Sequence, residues 1–101
     1  MIFLDTTVLV YAVGGEHPLR QACRAIIRAV QRGDVTARTS VEVIQEFAHV
    51  RARRCGRHDA ALVAREFAGL LQPLVVVDEL DLRRGLELFE RTASLGAFDC
   101  V

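Results

Sequence analysis

Three carboxylates stand in apolar parts of this sequence, and together their chemistry points to a bound cation. Asp5 ends an apolar run, Glu46 lies within an apolar helical pattern, and Asp99 follows Phe98. Burying an unpaired carboxylate is costly or forces the group to take up a proton. If the three acids meet, they cannot all ionise without a cation. Because ligands made only of oxygen favour Mg²⁺ or Mn²⁺ over zinc, the acids predict a site for one of these ions.

Asp5 and Asp99 each also have an ordinary structural explanation. Asp5 precedes Thr6, where a helix could begin, and aspartate is a common helix N-cap. Asp99 would lie in the first turn of a late helix, where an acid suits the helix dipole. Each residue alone therefore leaves capping and metal binding open.

Glu42 and Glu46 lie one turn apart in the same predicted helix. Like charges at this spacing destabilise a helix slightly, and a divalent cation would remove the repulsion. Glu42 has a structural role available, because Thr39 and Glu42 match the T-x-x-E capping box. The structural alternative for Glu46 is a solvated side chain paired with Arg51.

The elements that must position these acids alternate between strands and helices. The predicted strands are residues 2–5, 35–38 and 74–77, and the predicted helices are 17–32, a segment from Thr39 to just before Gly56, 58–71 and 81–94. Residues 6–13 either continue the first strand or begin a helix, which Thr6 and Thr7 favour as cap-type residues. This alternation predicts an α/β fold with a mainly parallel sheet, in a single domain over residues 1–101. In such a sheet ligands bind beyond the carboxyl ends of the strands, where Asp5 lies.

Two of these elements carry clear predictions about burial. The run at 74–77 is uniformly apolar, as a buried parallel strand would be. The residues of the last helix that we expect to face the core are Leu82, Leu86, Leu88 and Phe89.

Composition excludes several classes of protein. The 13 basic and 13 acidic residues balance, which argues against a generally basic coat for nucleic acid. No apolar run is long enough for a transmembrane helix, and the N-terminus does not read as a signal peptide. Cys23, Cys55 and Cys100 have no zinc-like spacing, and we expect reduced thiols in a cytoplasmic protein.

The segments MIFLDTTVLVYA, TSVEVIQEF and LGAFD, in this order and spacing, resemble the PIN-domain ribonucleases, and most closely the VapC-type toxins of bacterial toxin–antitoxin pairs. The resemblance covers residues 1–101 and implies a three-layer α/β/α fold. The acids that it implies as catalytic metal ligands are Asp5, Glu46 and Asp99. The polar residues that we place beside the metal or the substrate are Thr7, Ser40 and Glu42.

The resemblance also implies a reaction and partners. In the family, Mg²⁺ or Mn²⁺ activates a water that attacks a phosphodiester of RNA. Homodimers are usual, and an antitoxin segment fills an apolar groove between helices bordering the cleft. A cluster of arginines at the end of the third predicted helix could hold RNA phosphates, although arginine also suits a solvated helix C-terminus. Its members are Arg51, Arg53, Arg54 and Arg57.

Two other hypotheses remain beside the nuclease. PIN domains normally continue past the third acid through a helix, a strand and often a fourth acid, so we expect this domain to be incomplete at its C-terminus. The second hypothesis is therefore a truncated, inactive PIN module that still binds an antitoxin or dimerises. A receiver-type or phosphatase-like Mg²⁺ domain is disfavoured, because those families expect an acidic pair or D-x-D where Asp5 is followed by two threonines.

Overall fold

The computed structural model describes residues 1–76 and 78–91. Its elements, in chain order, are β1 (Ile2–Phe3), α1 (Thr6–Val13), α2 (Arg20–Gln31), β2 (Ala37–Arg38), α3 (Val41–Cys55), α4 (Arg57–Leu70) and α5 (Glu79–Arg91). The predicted α/β class is confirmed, and residues 6–13 form a helix. Gly56, at a φ of 88°, separates α3 from α4 at the predicted position.

The second helix begins three residues later than the sequence predicted. Its first residue is Arg20, not residue 17. The His17 ring stacks on Tyr11 with 3.9 Å between the ring centroids, and its Nδ1 accepts a hydrogen bond from the Leu19 backbone. These contacts hold the chain before Arg20 in a turn.

The described sheet is parallel and is built around β2. Ile2 of β1 lies opposite Ala37, and beyond β2 an isolated parallel bridge joins Ser40 to Val75. The prediction of a buried strand at 74–77 is wrong for Val75 and Val76, whose exposed fractions are 37% and 70%. The Val75 backbone pairs with residues 39–41, and the side chains gain no cover from that pairing. Residue 77 lies outside the described part.

The core lies where α1 meets α2 and α3, and where α3 meets α4. Its larger members are Leu4, Leu9, Ile27, Phe47, Phe67 and Leu71. The rings of Phe47 and Phe67 meet edge to face, with centroids 5.1 Å apart. Since Phe47 follows Glu46 directly, the burial of this ring fixes the turn of α3 that carries the glutamate.

The predicted capping box at Thr39 and Glu42 is wrong by one residue. Ser40 is the N-cap of α3, and its Oγ accepts a hydrogen bond from the Val43 N–H at 3.1 Å. Thr39 is fully buried and donates its Oγ1 hydrogen to the Leu4 carbonyl at 2.7 Å. The sheet pairing continues past β2 to Thr39, so the helix cannot begin there. The hydroxyl of Thr39 instead fixes the strand end that precedes Asp5.

The burial predicted for α5 is wrong for the leucines that the structure describes. Leu82, Leu86 and Leu88 are each 45% exposed. The apolar spacing correctly predicted a helix. It did not predict whether another element covers the face that carries these leucines. The Phe89 side chain and residues 92–94 of the predicted helix lie outside the described part. No helix in the described ranges is both long and apolar enough to span a membrane.

Candidate functional site

Asp5 occupies the junction between β1 and α1. Leu4 is buried beneath the sheet, and the chain then turns into the helix with Asp5 in extended conformation as its N-cap. Its Oδ1 accepts a hydrogen bond from the Val8 N–H at 3.3 Å. The residue is exposed, and a carboxylate can accept at about four lone-pair positions. Capping therefore uses only part of its capacity and leaves the other oxygen available to a ligand.

Glu46 reaches the same end of α1 from the second turn of α3. Thr6, the residue after Asp5, donates its Oγ1 hydrogen to Glu46 Oε2 at 2.9 Å. The structure thus brings two of the three predicted acids to the N-terminus of one helix, where the helix dipole favours negative charge. The alternative pairing of Glu46 with Arg51 is wrong, because Arg51 pairs with Asp59.

The third predicted acid, Asp99, lies outside the described residues. Within residues 1–76 and 78–91, no group of three or more histidine, cysteine, aspartate or glutamate side chains is arranged to hold a metal. The described part supplies two exposed carboxylates, Asp5 and Glu46. Their oxygen-only chemistry fits Mg²⁺ or Mn²⁺ and does not fit a soft metal.

The polar residues predicted around the acids have different environments. Thr7 is exposed on α1, and Glu42 is exposed one turn before Glu46. Ser40 is buried and uses its hydroxyl as the N-cap of α3. Among the described residues, the hydroxyl that contacts an acid of the site is that of Thr6, which the sequence marked only as a helix start. Nothing in the sequence signals this pair, because its members are 40 positions apart.

The predicted arginine cluster divides into one internal residue and three exposed ones. The Arg51 side chain is only 19% exposed, and its Nε donates to Asp59 Oδ1 at 2.6 Å. Its Nη1 donates to the Val13 carbonyl at 2.9 Å. The hydrogen bond to Asp59 is the main cause that raises the pKa of Arg51, so this guanidinium keeps its charge in a partly buried setting. The exposed members are Arg53, Arg54 and Arg57.

An open groove of about 390 Å³ lies between α1 and α3, at the C-terminal end of α1 and away from Asp5. Its walls include Val10, Val13, Phe47 and Val50, with Arg51 and Arg54 at its polar side. A second groove, of about 310 Å³, lies between α2 and α4. The structure therefore offers apolar surface between helices, but neither Asp5 nor Glu46 lines either groove, so the prediction of a groove bordering the acidic cleft stays a prediction.

The chain matches the family model described as "PIN domain" over residues 2–101. It is 50% identical over 105 aligned residues to Ribonuclease VapC7 of Mycobacterium tuberculosis, covering all of this chain and 70% of that protein. It is 35% identical over 103 residues to Ribonuclease VapC23 of the same species, covering all of this chain and 79% of the relative. No solved structure is significantly similar to it.

Proposed function

Because this chain belongs to the PIN-domain family, as its sequence predicted, we propose that it is a VapC-type toxin that cleaves RNA as a Mg²⁺- or Mn²⁺-dependent endoribonuclease. The observation that carries the proposal is the hydrogen bond from Thr6 to Glu46. It joins the second acid of the predicted set to the residue that follows the first, and it supports the proposal for a chain whose similar relatives are named ribonucleases.

Three acids have defined roles in this proposal. Asp5 and Glu46, together with Asp99, would hold the cation, and none of them attacks the substrate. The bound ion supplies an activated water and stabilises negative charge on the phosphate. Asp5 offers the oxygen that its N-cap contact leaves available, and Thr6 holds Glu46 towards the same place. To Thr7 and Glu42, which are both exposed, the proposal assigns contacts with water or substrate around these acids.

In this proposal the exposed arginines of the cluster, Arg53, Arg54 and Arg57, bind the RNA. Arg53 and Arg54 follow Glu46 by two turns of α3, which is about 10–12 Å along the helix. Arg57 begins α4 directly after the glycine turn. These side chains can contact phosphates of an RNA strand that runs from the acids along α3. Arg51 is not available for this role, because Asp59 and the Val13 carbonyl already bind it.

The proposal includes a cognate antitoxin, a homodimer and action in the cytoplasm. The groove between α1 and α3 has apolar walls and the exposed Arg54 at its edge, which suits a segment with apolar and acidic side chains. The free thiols Cys23 and Cys55 are compatible with a reducing compartment.

A cleavage assay on the full chain tests the proposal. We expect the protein to cut a mixed RNA substrate with Mn²⁺ and not with EDTA. Asp5→Asn and Glu46→Gln should each lose this cleavage, whereas Glu66→Gln, an exposed position on α4, should keep it. Undiminished cleavage by both acid variants would reject the assigned site. If the unchanged protein binds a VapB-type antitoxin but never cuts RNA, the inactive binding module is the better description.

A further inference from the structure

We propose that Thr6 is a positioning residue, whose hydroxyl holds the Glu46 carboxylate in the orientation that receives the cation beside Asp5. This inference rests on the proposed function and adds a residue to its site. Its basis is the 2.9 Å hydrogen bond from Thr6 Oγ1 to Glu46 Oε2, which joins α1 to α3.

The donor is held more rigidly than the acceptor. Thr6 is β-branched and lies in the first turn of α1, so its side chain has few rotamers. The helix that carries it is fixed by the Asp5 cap at one end and by Arg51 at the other. Glu46 is an exposed side chain with three rotatable bonds, and ordering it costs conformational entropy. The hydrogen bond from Thr6 offsets this entropy, so the Glu46 carboxylate is already ordered before an ion binds.

A hydroxyl orients the acid without cancelling its charge. Within the described residues, the arginine ion pairs involve Asp34, Asp59 and Glu79, and none involves Asp5 or Glu46. An arginine or lysine in place of Thr6 would pair with Glu46 and compete with a metal ion. The neutral donor uses one lone pair of Oε2, and the carboxylate keeps its negative charge and an Oε1 that can bind a cation.

Two other hydroxyls near the acids do not have this geometry. Ser40 is buried, its Oγ accepts from the Val43 N–H, and in the described structure it makes no hydrogen bond with either acid. Thr7 is exposed, and among the described residues the hydrogen bond to Glu46 comes from Thr6. Thr6 is therefore the hydroxyl that positions Glu46. The role expected for Thr7, beside the metal or the substrate, is a separate prediction.

Mn²⁺ binding to the full chain, measured by calorimetry, tests the inference without any cleavage assay. We expect Thr6→Val to weaken Mn²⁺ binding about 10-fold, the lower range for removing a group that orients a metal ligand. Thr6→Ser keeps the hydroxyl and should bind within about 3-fold of the unchanged protein. Thr36→Val is the matched control, because Thr36 is exposed and lies in the loop before β2.

A double-mutant cycle separates positioning from general destabilisation. In a Glu46→Gln background, Thr6→Val should cause no further loss of Mn²⁺ affinity, because Thr6 acts through Glu46. Equal losses in both backgrounds, or unchanged binding by Thr6→Val, would overturn the inference while leaving the metal site in place. Absence of Mn²⁺ binding by the unchanged protein would overturn the metal site itself, and the inference with it.

Discussion

The two ends of α1 lie about 12 Å apart and are stabilised in opposite ways. At its N-terminus, Asp5 and Glu46 are exposed carboxylates, and the neutral hydroxyl of Thr6, the residue after Asp5, donates to Glu46. At its C-terminus, the Ala12 carbonyl accepts from Arg24 Nε at 2.9 Å and the Val13 carbonyl accepts from Arg51.

At the C-terminus of α1 the charged groups have partners of opposite charge or polarity, whereas the carboxylates at its N-terminus, which we call the acidic end, have no described ion pair. The last carbonyls of a helix lack partners within the helix and carry partial negative charge, so two guanidinium groups stabilise them. Asp59 in turn balances Arg51. No described side chain balances Asp5 or Glu46 with a positive charge. We infer that the C-terminal end of α1 serves folding and that the N-terminal end serves a ligand.

Removing an acid tests this division with the largest expected effect. We expect Glu46→Gln to weaken Mn²⁺ binding by about 100-fold, or about 2.8 kcal/mol. Its free energy of unfolding without metal should stay nearly unchanged, since the variant removes an exposed charge with no described ion pair and keeps an amide oxygen that can accept from Thr6. Calorimetry and urea titration of the same samples measure both quantities, with Glu66→Gln as the control. A large loss of stability in Glu46→Gln would show that the acidic end also serves folding.

Removing the internal arginine should have the converse effect. We expect Arg51→Met to lower the free energy of unfolding by about 2 kcal/mol, because it leaves the Val13 carbonyl and Asp59 without their donor. Urea unfolding measures this loss, and Arg53→Met, at an exposed position of the same helix, should change stability by less than about 0.5 kcal/mol. If the two variants unfold alike, Arg51 does not hold α1.

The second arginine of the C-terminal end provides a graded test. Arg24→Met removes one hydrogen bond to a neutral carbonyl and breaks no ion pair, so we expect a loss of about 1 kcal/mol. Arg28→Met is the control, since Arg28 lies one turn further along α2 and is exposed. A loss for Arg24→Met that equals or exceeds the loss for Arg51→Met would contradict the contribution we assign to Asp59.

The features predicted correctly from sequence are those that depend on nearby residues. The threonines after Asp5 indicate a strand-to-helix switch and predict Asp5 as a possible cap, which the structure confirms. The N-cap of α3 lies one residue after the predicted position. The Thr39 hydroxyl instead donates to the Leu4 carbonyl, a partner 35 positions away. The same limit applies to the burial of Val75 and Val76, which depends on what covers a strand and not on its composition.

The site shows this limit most clearly. A resemblance of short motifs suffices to select Asp5 and Glu46, because the family places acids at those positions. The hydrogen bond from Thr6 to Glu46 and the internal position of Arg51 both depend on partners from other helices. Sequence spacing carries no information about such pairs until the helices are packed.

The smallest expected effect links Asp5 to the core through Cys23. Burial, and secondarily the negative charge of Asp5, raise the pKa of the Cys23 thiol. The folded protein therefore favours the neutral thiol. Stability is highest below the ordinary thiol pKa and falls as the pH rises through the raised one. Cys23→Ala should reduce this alkaline loss in urea titrations, whereas Cys55→Ala, at an exposed position, should retain it. Asp5→Asn should reduce the loss only in part, because burial is the larger cause. If Asp5→Asn reduces the loss as much as Cys23→Ala does, the charge of the acidic end dominates, and that end affects folding after all.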